Sequence, residues 1–159
     1  MAKKQDISAR ITEIRNRKAS HDYFIGETFE AGIVLSGTEA KSLRAGKAQI
    51  QDAFVRIDRG EAILYNCHIS EYDFGNIYNH VATRERKLLL HKNQILKLKS
   101  EVEKNSAAII PIRIYFKRGF AKVEIAVCKG KKLYDKRESI KKAEAMREAK
   151  RAMSLRNYR

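Results

Sequence analysis

The strongest constraint on the fold lies in the last third of the chain, before its basic end. Ile110, Ile112, Ile114 and Phe116 alternate with Pro111, Arg113, Tyr115 and Lys117. After Arg118-Gly119 the alternation resumes, with Ala121, Val123, Ile125 and Val127 set against Lys122, Glu124, Ala126 and Cys128. Side chains two apart on a strand share a face, so these runs predict an antiparallel hairpin with one buried and one wet face. Two residues ending in glycine suit its turn. Pro111 lacks an N–H and belongs at a strand start or edge.

Other segments extend the β pattern. Residues 21–35, HDYFIGETFEAGIVL, read as one long strand bent near Gly26 and Gly32. Ile50–Ile57 and Ala62–Ile69 are strand runs joined by Asp58-Arg59-Gly60-Glu61. Residues 38–45 predict a short helix with Thr38 as its cap, Glu39 in its first turn and Gly46 closing it. Residues 92–104 predict a second helix, with Ile95, Leu98 and Val102 as its apolar stripe. The stretch from Ser70 to Arg86 has no periodicity and reads as a loop, and Arg86–Leu90 reads as a short strand or a helix entry. Five or six short strands with two helices point to a small closed or partly closed barrel of the OB type.

A chain of 159 residues is long enough for one domain with a hydrophobic core. Its net charge of +15 calls for a polyanion. The charge divides unevenly. Residues 1–19 hold six Lys/Arg against two acids, and residues 129–159 hold twelve against four. Residues 20–128 hold sixteen against thirteen, so the middle is nearly balanced. This predicts a basic N-terminal segment (1–19), a barrel (20–129) and a basic C-terminal tail (130–159). An anionic membrane would ask for large apolar groups on one face of a basic helix, and the tail has neither Trp nor Phe. Nucleic acid is the better partner. The tail is rich in helix formers, but its apolar stripe (Ile140, Met146, Ala149, Met153) is thin and its cations repel one another. It is expected to be disordered when free and helical against phosphate.

Catalytic patterns are weak. His21, His68, His80 and His91 share no metal-binding spacing, and the carboxylates form no DxD or ExD pair. His21-Asp22 resembles a base with its orienter, but as one dipeptide it suits surface polarity better. Cys67 and Cys128 stand alone in apolar runs and read as core residues of a reducing cytosol. No apolar stretch reaches membrane-spanning length, and MAKKQDISARITEIRNRK lacks the apolar core of a secretory signal. The basic sets are more suggestive: Asn16-Arg17-Lys18; Lys41 and Arg44 on one helix face with Lys47 beyond; and Arg84, Arg86 and Lys87.

Three strings carry a resemblance. NRKASHDYFIGETFEAGIVLSGTEAKSLRAGKA (16–48), RKLLLHK (86–92) and KVEIAVCKGKKLYDKRE (122–138) closely resemble the small protein B family, the SsrA-binding proteins of bacterial trans-translation. The resemblance implies an OB-like barrel of six strands with about three helices. It also implies a cytoplasmic, non-enzymatic factor that binds the tRNA-like domain of transfer-messenger RNA and takes it to stalled 70S ribosomes. Elongation factor Tu and alanyl-tRNA synthetase would then be partners through the RNA, with no cofactor or metal. The family's RNA-contact positions fall on Asn16, Glu30 and Leu89, and Lys18, Tyr23 and Arg44 join them by their fit to the basic sets. In the tail, Gly130, Lys131, Lys132, Tyr134, Asp135, Lys136 and Arg137 match the segment that enters the decoding centre and the mRNA channel.

A carboxylate such as Glu30 can accept from base amino or imino groups, which phosphate cannot do. Alternation in Leu88-Leu89-Leu90 must turn either Leu89 or its neighbours outward, where leucine can meet an unstacked base. Two departures from the family pattern bear on local shape. Gly26 replaces a usual acid, and Val81-Ala82-Thr83 replaces a frequent Asp-Pro-Thr. The competing readings are a generic OB-fold ribosomal or RNA-chaperone protein and a metal-dependent nuclease using His21, Asp22 and His68.

Overall fold

The structure, a computed structural model, describes residues 12–157. Nine strands and four helices follow one another along these residues. They are β1 (Ile14–Arg15), α1 (Ala19–Asp22), β2 (Tyr23–Ile33), α2 (Gly37–Arg44), β3 (Ala48–Gln49), β4 (Phe54–Asp58) and β5 (Glu61–Tyr65). β6 (His68–Ile69), β7 (Arg86–Leu89), α3 (Lys92–Asn105), β8 (Ala108–Lys117), β9 (Phe120–Gly130) and α4 (Leu133–Asn157) complete the order.

The pairing order β8-β4-β5-β7-β2-β9 returns to β8, so six antiparallel strands close into a ring. The expected β-rich, six-stranded architecture is therefore present. β1 extends the free part of the β8 edge, with Ile14 opposite Ile114, and β3 pairs with β6 outside the ring. Residues 14–19 of the basic N-terminal segment thus belong to the folded body, while residues 1–11 lie outside the described residues.

The hairpin β8–β9 turns at Arg118-Gly119, with φ of 52° and 80°. Left-handed backbone at both turn positions matches the twist of paired strands, and glycine adopts it without a Cβ clash. One detail departs from strict alternation: a bulge between Pro111 and Arg113 shifts the β8 register. Before the bulge Ile109 faces the main core, and beyond it Ile114 and Phe116 do. Ile110 and Ile112 instead pack outside the ring against Ala19, Tyr23, Phe54, Ala126 and Cys128. The extra residue has exchanged the faces.

β2 bends as its sequence predicts, with the register to β9 slipping between Ile25 and Thr28. A Cβ on Gly26 would stand 2.8 Å from the Val127 carbonyl oxygen, so any side chain there requires the strand to move. α2 closes one end of the ring through buried Leu43, Ser42 and Glu39. Its cap is Ser36, not Thr38: Ser36 and Glu39 form a reciprocal capping box, in which Glu39 Oε2 accepts the Ser36 N–H at 2.9 Å. α3 lies against β4, β8 and β9 with Leu98 fully buried.

Candidate nucleic-acid interface

On the outer face of the ring, strand register assembles one row from three distant segments. Gly32 stands opposite both Leu89 and Lys122, and Lys122 stands opposite Tyr115. Two residues along β2, Glu30 faces Glu124, which faces Arg113. Leu89 is 56% exposed while Leu88 is 1% exposed, so alternation turns Leu89 to solvent. It lies flat over Gly32, where an added Cβ would come within 3.2 Å of the Leu89 Cβ. Glu30 and Leu89 thus share an open groove, with Lys87, His91 and Lys122 also on its walls.

The Glu30 carboxylate is held in place. The Tyr115 hydroxyl donates to it, and Lys117 Nζ stands 3.4 Å from its second oxygen. The Tyr115 hydrogen bond, then the charges of Lys117 and Lys122, keep the carboxyl below its usual range. Burial and the bond to Glu30 push the Tyr115 hydroxyl up to about 12, so it stays a donor. Arg113 backs the arrangement from 4.7 Å below the Tyr115 ring, itself clamped by Glu13 and Glu124. Tyr115, Lys117 and Lys122 were not among the residues expected at the site. Their outward parity in the hairpin was the available signal; the β2–β9 register that brings them to Glu30 was not.

The other expected contacts lie apart from this groove. Arg44 is exposed at the end of α2, with its guanidinium 5.6 Å from the Phe116 ring. Lys18 is exposed beside Asp52 at 3.4 Å, and Tyr23 is half-buried in the outer core cluster. Asn16 is buried. Its Nδ2 donates to the Pro111 and Ile50 carbonyls at 3.0 and 3.3 Å, and its Oδ1 accepts the Ala19 N–H at 3.1 Å. Its side chain therefore shapes the Arg17-Lys18 turn from beneath.

The third basic set needs correction. Arg86 is fully buried, with Nε 3.0 Å from Glu39 Oε1 and its other nitrogens on the Cys67, Arg84 and Ala82 carbonyls. Arg84 also grips Glu39, at 2.9 and 2.8 Å. Burial would raise the Glu39 carboxyl, but the bonds from Arg84 and the Ser36 N–H and the two guanidinium charges hold it at about 2. These arginines serve a structural ion network. Lys87 faces the groove but pairs with Glu61 at 2.6 Å.

In the tail, Gly130 ends β9 opposite Tyr23. Lys131 turns back on the body: its N–H donates to the Asp22 carbonyl at 2.9 Å and its Nζ to the Ser20 carbonyl at 2.9 Å. Lys136 Nζ stands 3.4 Å from Asp22, and Asp135 accepts the Lys132 N–H at 3.3 Å, starting α4. Lys132, Tyr134 and Arg137 are exposed. The tail segment forms a continuous helix from Leu133 to Asn157, and none of its residues is buried. His21 and Asp22 touch at 2.8 Å on the surface. Among the described residues no group of three His, Cys, Asp or Glu side chains is placed to hold a metal. Burial raises both thiols, Cys67 and Cys128, to about 11. No helix among the described residues is long and apolar enough to cross a membrane.

Comparison with known proteins places this geometry. An SsrA-binding protein of Shouchella clausii is 58% identical over 142 residues, covering 89% of this chain and 91% of that protein. Another, from Halalkalibacterium halodurans, is 55% identical over 143 residues, covering 90% and 93%. A solved chain described as "tmRNA-SmpB: a journey to the center of the bacterial ribosome" superposes with a TM-score of 0.66 at 45% identity, covering 83% of this chain and 95% of that one. The profile of the family described as SmpB protein matches residues 13–155, and with the six-stranded ring and relatives this similar, the chain belongs to that family.

Proposed function

We propose that this protein binds the tRNA-like domain of transfer-messenger RNA and delivers it to stalled ribosomes for trans-translation. Relatives called SsrA-binding proteins and a solved chain described with tmRNA and the bacterial ribosome support the reading. The observation that carries the contact itself is the shared groove, where Leu89 lies exposed over Gly32 beside a tethered Glu30. Leucine offers an apolar platform to an unstacked base, and the carboxylate accepts from a base edge while Lys87, Lys117 and Lys122 receive the backbone. Arg44 and Lys18 add phosphate contacts on neighbouring surfaces, and Asn16 acts by holding the turn that carries Lys18.

The protein acts by binding rather than catalysis, in the cytoplasm, and meets elongation factor Tu and alanyl-tRNA synthetase through its RNA. The tail is the ribosomal probe. Lys131 and Lys136 fix its root to α1 and Asp135 caps its first turn, so that Tyr134 and Arg137 point into the decoding centre. The rest of α4 runs into an mRNA channel that holds no downstream message. With nothing buried along it, α4 gains its helix mainly from phosphate neutralisation of its cations.

Recovering the full-length protein from bacterial cells and sequencing its bound RNA tests the assignment. Transfer-messenger RNA should dominate. Bulk tRNA and ribosomal RNA in proportion to their abundance would instead mark a general RNA chaperone.

A further inference from the structure

The segment between β6 and β7 is held in shape by its own side chains, yet it turns its apolar groups outward. Asn79 closes the loop, with Nδ2 donating to the Tyr72 carbonyl at 2.6 Å and Oδ1 accepting the Tyr72 N–H at 3.0 Å. Gly75 lies so near this amide that a Cβ would stand 2.8 Å from the Asn79 Cγ. Buried His80 anchors the next turn between the Thr38 hydroxyl (2.9 Å) and the Ile69 carbonyl (2.8 Å). Lys47 pairs with Asp73 at 2.9 Å, and the Tyr72 and Phe74 rings meet edge to face at 5.6 Å. On this frame Phe74, Ile77, Tyr78 and Val81 are 79, 87, 84 and 68% exposed. A fixed loop that keeps four large apolar groups in water is built to meet another surface.

The neighbours indicate which surface. Lys41 lies 5.2 Å over the Tyr72 ring and Lys47 pairs with Asp73 of the loop, so cations stand beside its aromatic faces. Unpaired nucleotides take that combination, stacking bases on the rings and laying phosphates on the cations. The register indicates which RNA. The Lys87 carbonyl accepts the Val34 N–H, and Leu88 and Leu89 pair with Ile33 and Gly32. The loop therefore runs directly into the Glu30–Leu89 groove at one end of β2, whereas α4 leaves from the other end, where Tyr23 pairs with Gly130.

We propose that Phe74 and Tyr78 stack on unpaired nucleotides of the same RNA molecule that occupies the groove, making the loop a second clamp on that RNA. The proposal rests on the groove reading above. Its test compares the full-length protein with Phe74→Ser/Tyr78→Ser and Phe74→Leu/Tyr78→Leu, titrated with transfer-messenger RNA at fixed moderate salt. Both positions are exposed, so the ring remains intact. Both double variants should lose affinity about tenfold, since each removes aromatic faces on which bases stack. The dependence on salt should stay the same, because no phosphate contact is lost.

Wild-type affinity in the serine variant overturns the proposal. So does retention by the leucine variant alone, which would mark an apolar protein contact, and so does loss of ribosome binding with RNA affinity intact. Glu30→Ala run in parallel separates the two readings. If it weakens binding while the loop variants do not, only the loop proposal fails. If the loop variants weaken binding and Glu30→Ala does not, the groove reading fails.

Discussion

Glu30 shows how one acid can serve in a basic protein. Its neighbours neutralise it at long range while leaving it a directional acceptor at short range. Tyr115→Phe removes the hydroxyl that first holds the carboxyl down. The expected result is a Glu30 titration moved up toward its ordinary value, read by NMR, with several-fold weaker RNA binding and an unchanged melting temperature. An unmoved titration would show that the tyrosine does not position the carboxylate. Glu39 behaves differently because it is buried with Arg86. Its carboxyl sits at about 2 in the fold against an ordinary 4.5, so its stabilisation is complete above pH 4.5 and drains away as pH falls toward 2. That shift corresponds to on the order of 3 kcal/mol. Glu39→Gln should cost about 3–5 kcal/mol near neutral pH by leaving a buried guanidinium unpaired. It should also flatten the acid limb of a denaturation series; an unchanged limb would assign that limb to other carboxylates.

At the scale of elements, the long strands were legible because their periodicity is local. Residues 108–117 and 120–130 form the expected hairpin, and 23–33 forms the bent strand. What the sequence concealed depends on partners far along the chain. Arg86 looked like a surface cation because its counter-charge Glu39 is 47 residues away. The bulge near Ile112 exchanges the faces of β8 with no glycine to announce it. The two-residue strands β1, β3 and β6 are too short to show a period. The cap of α2 could have been found, since Ser36-Gly37-Thr38-Glu39 spells a capping box. At the site, alternation left open whether Leu89 or its neighbours turn outward, and the meeting of Glu30 with Tyr115 and Lys117 required the registers of β2 with β9 and of β9 with β8.

α4 is fixed only at its root, which yields a prediction for amide exchange. In the free protein the amides beyond Ser139 should exchange at near-unprotected rates while those of β2 and β9 show global protection. Protection along all of α4 would mean that the helix is preformed. A truncation that tests the tail should fall after Lys132. A cut after Cys128 would remove the Phe24–Lys129 and Tyr23–Gly130 pairs and the Lys131 bond to Asp22, disturbing the body as well. The shorter protein should keep its RNA affinity within about twofold and lose tagging on stalled ribosomes, because its groove residues are untouched and, under the proposed function, the tail's cations meet the ribosome. Loss of RNA binding would refute this division of labour.

For the whole molecule, the net charge of +15 first suggested only a polyanion. Under the proposed function, the fold separates two tasks within it. The closed ring presents a short groove whose polar and apolar contacts are few and fixed, and the basic helix departs from the opposite end of β2. In that proposal, charge supplies encounter with any RNA, while the groove supplies choice. Competitive binding at moderate salt measures that choice most directly, with full-length wild type and Glu30→Ala/Leu89→Asp offered transfer-messenger RNA against excess bulk tRNA. The wild type should retain transfer-messenger RNA while tRNA is washed away, and the double variant should lose that preference. Release of both RNAs together from the wild type, or an unchanged preference in the variant, would contradict the groove as the site of recognition.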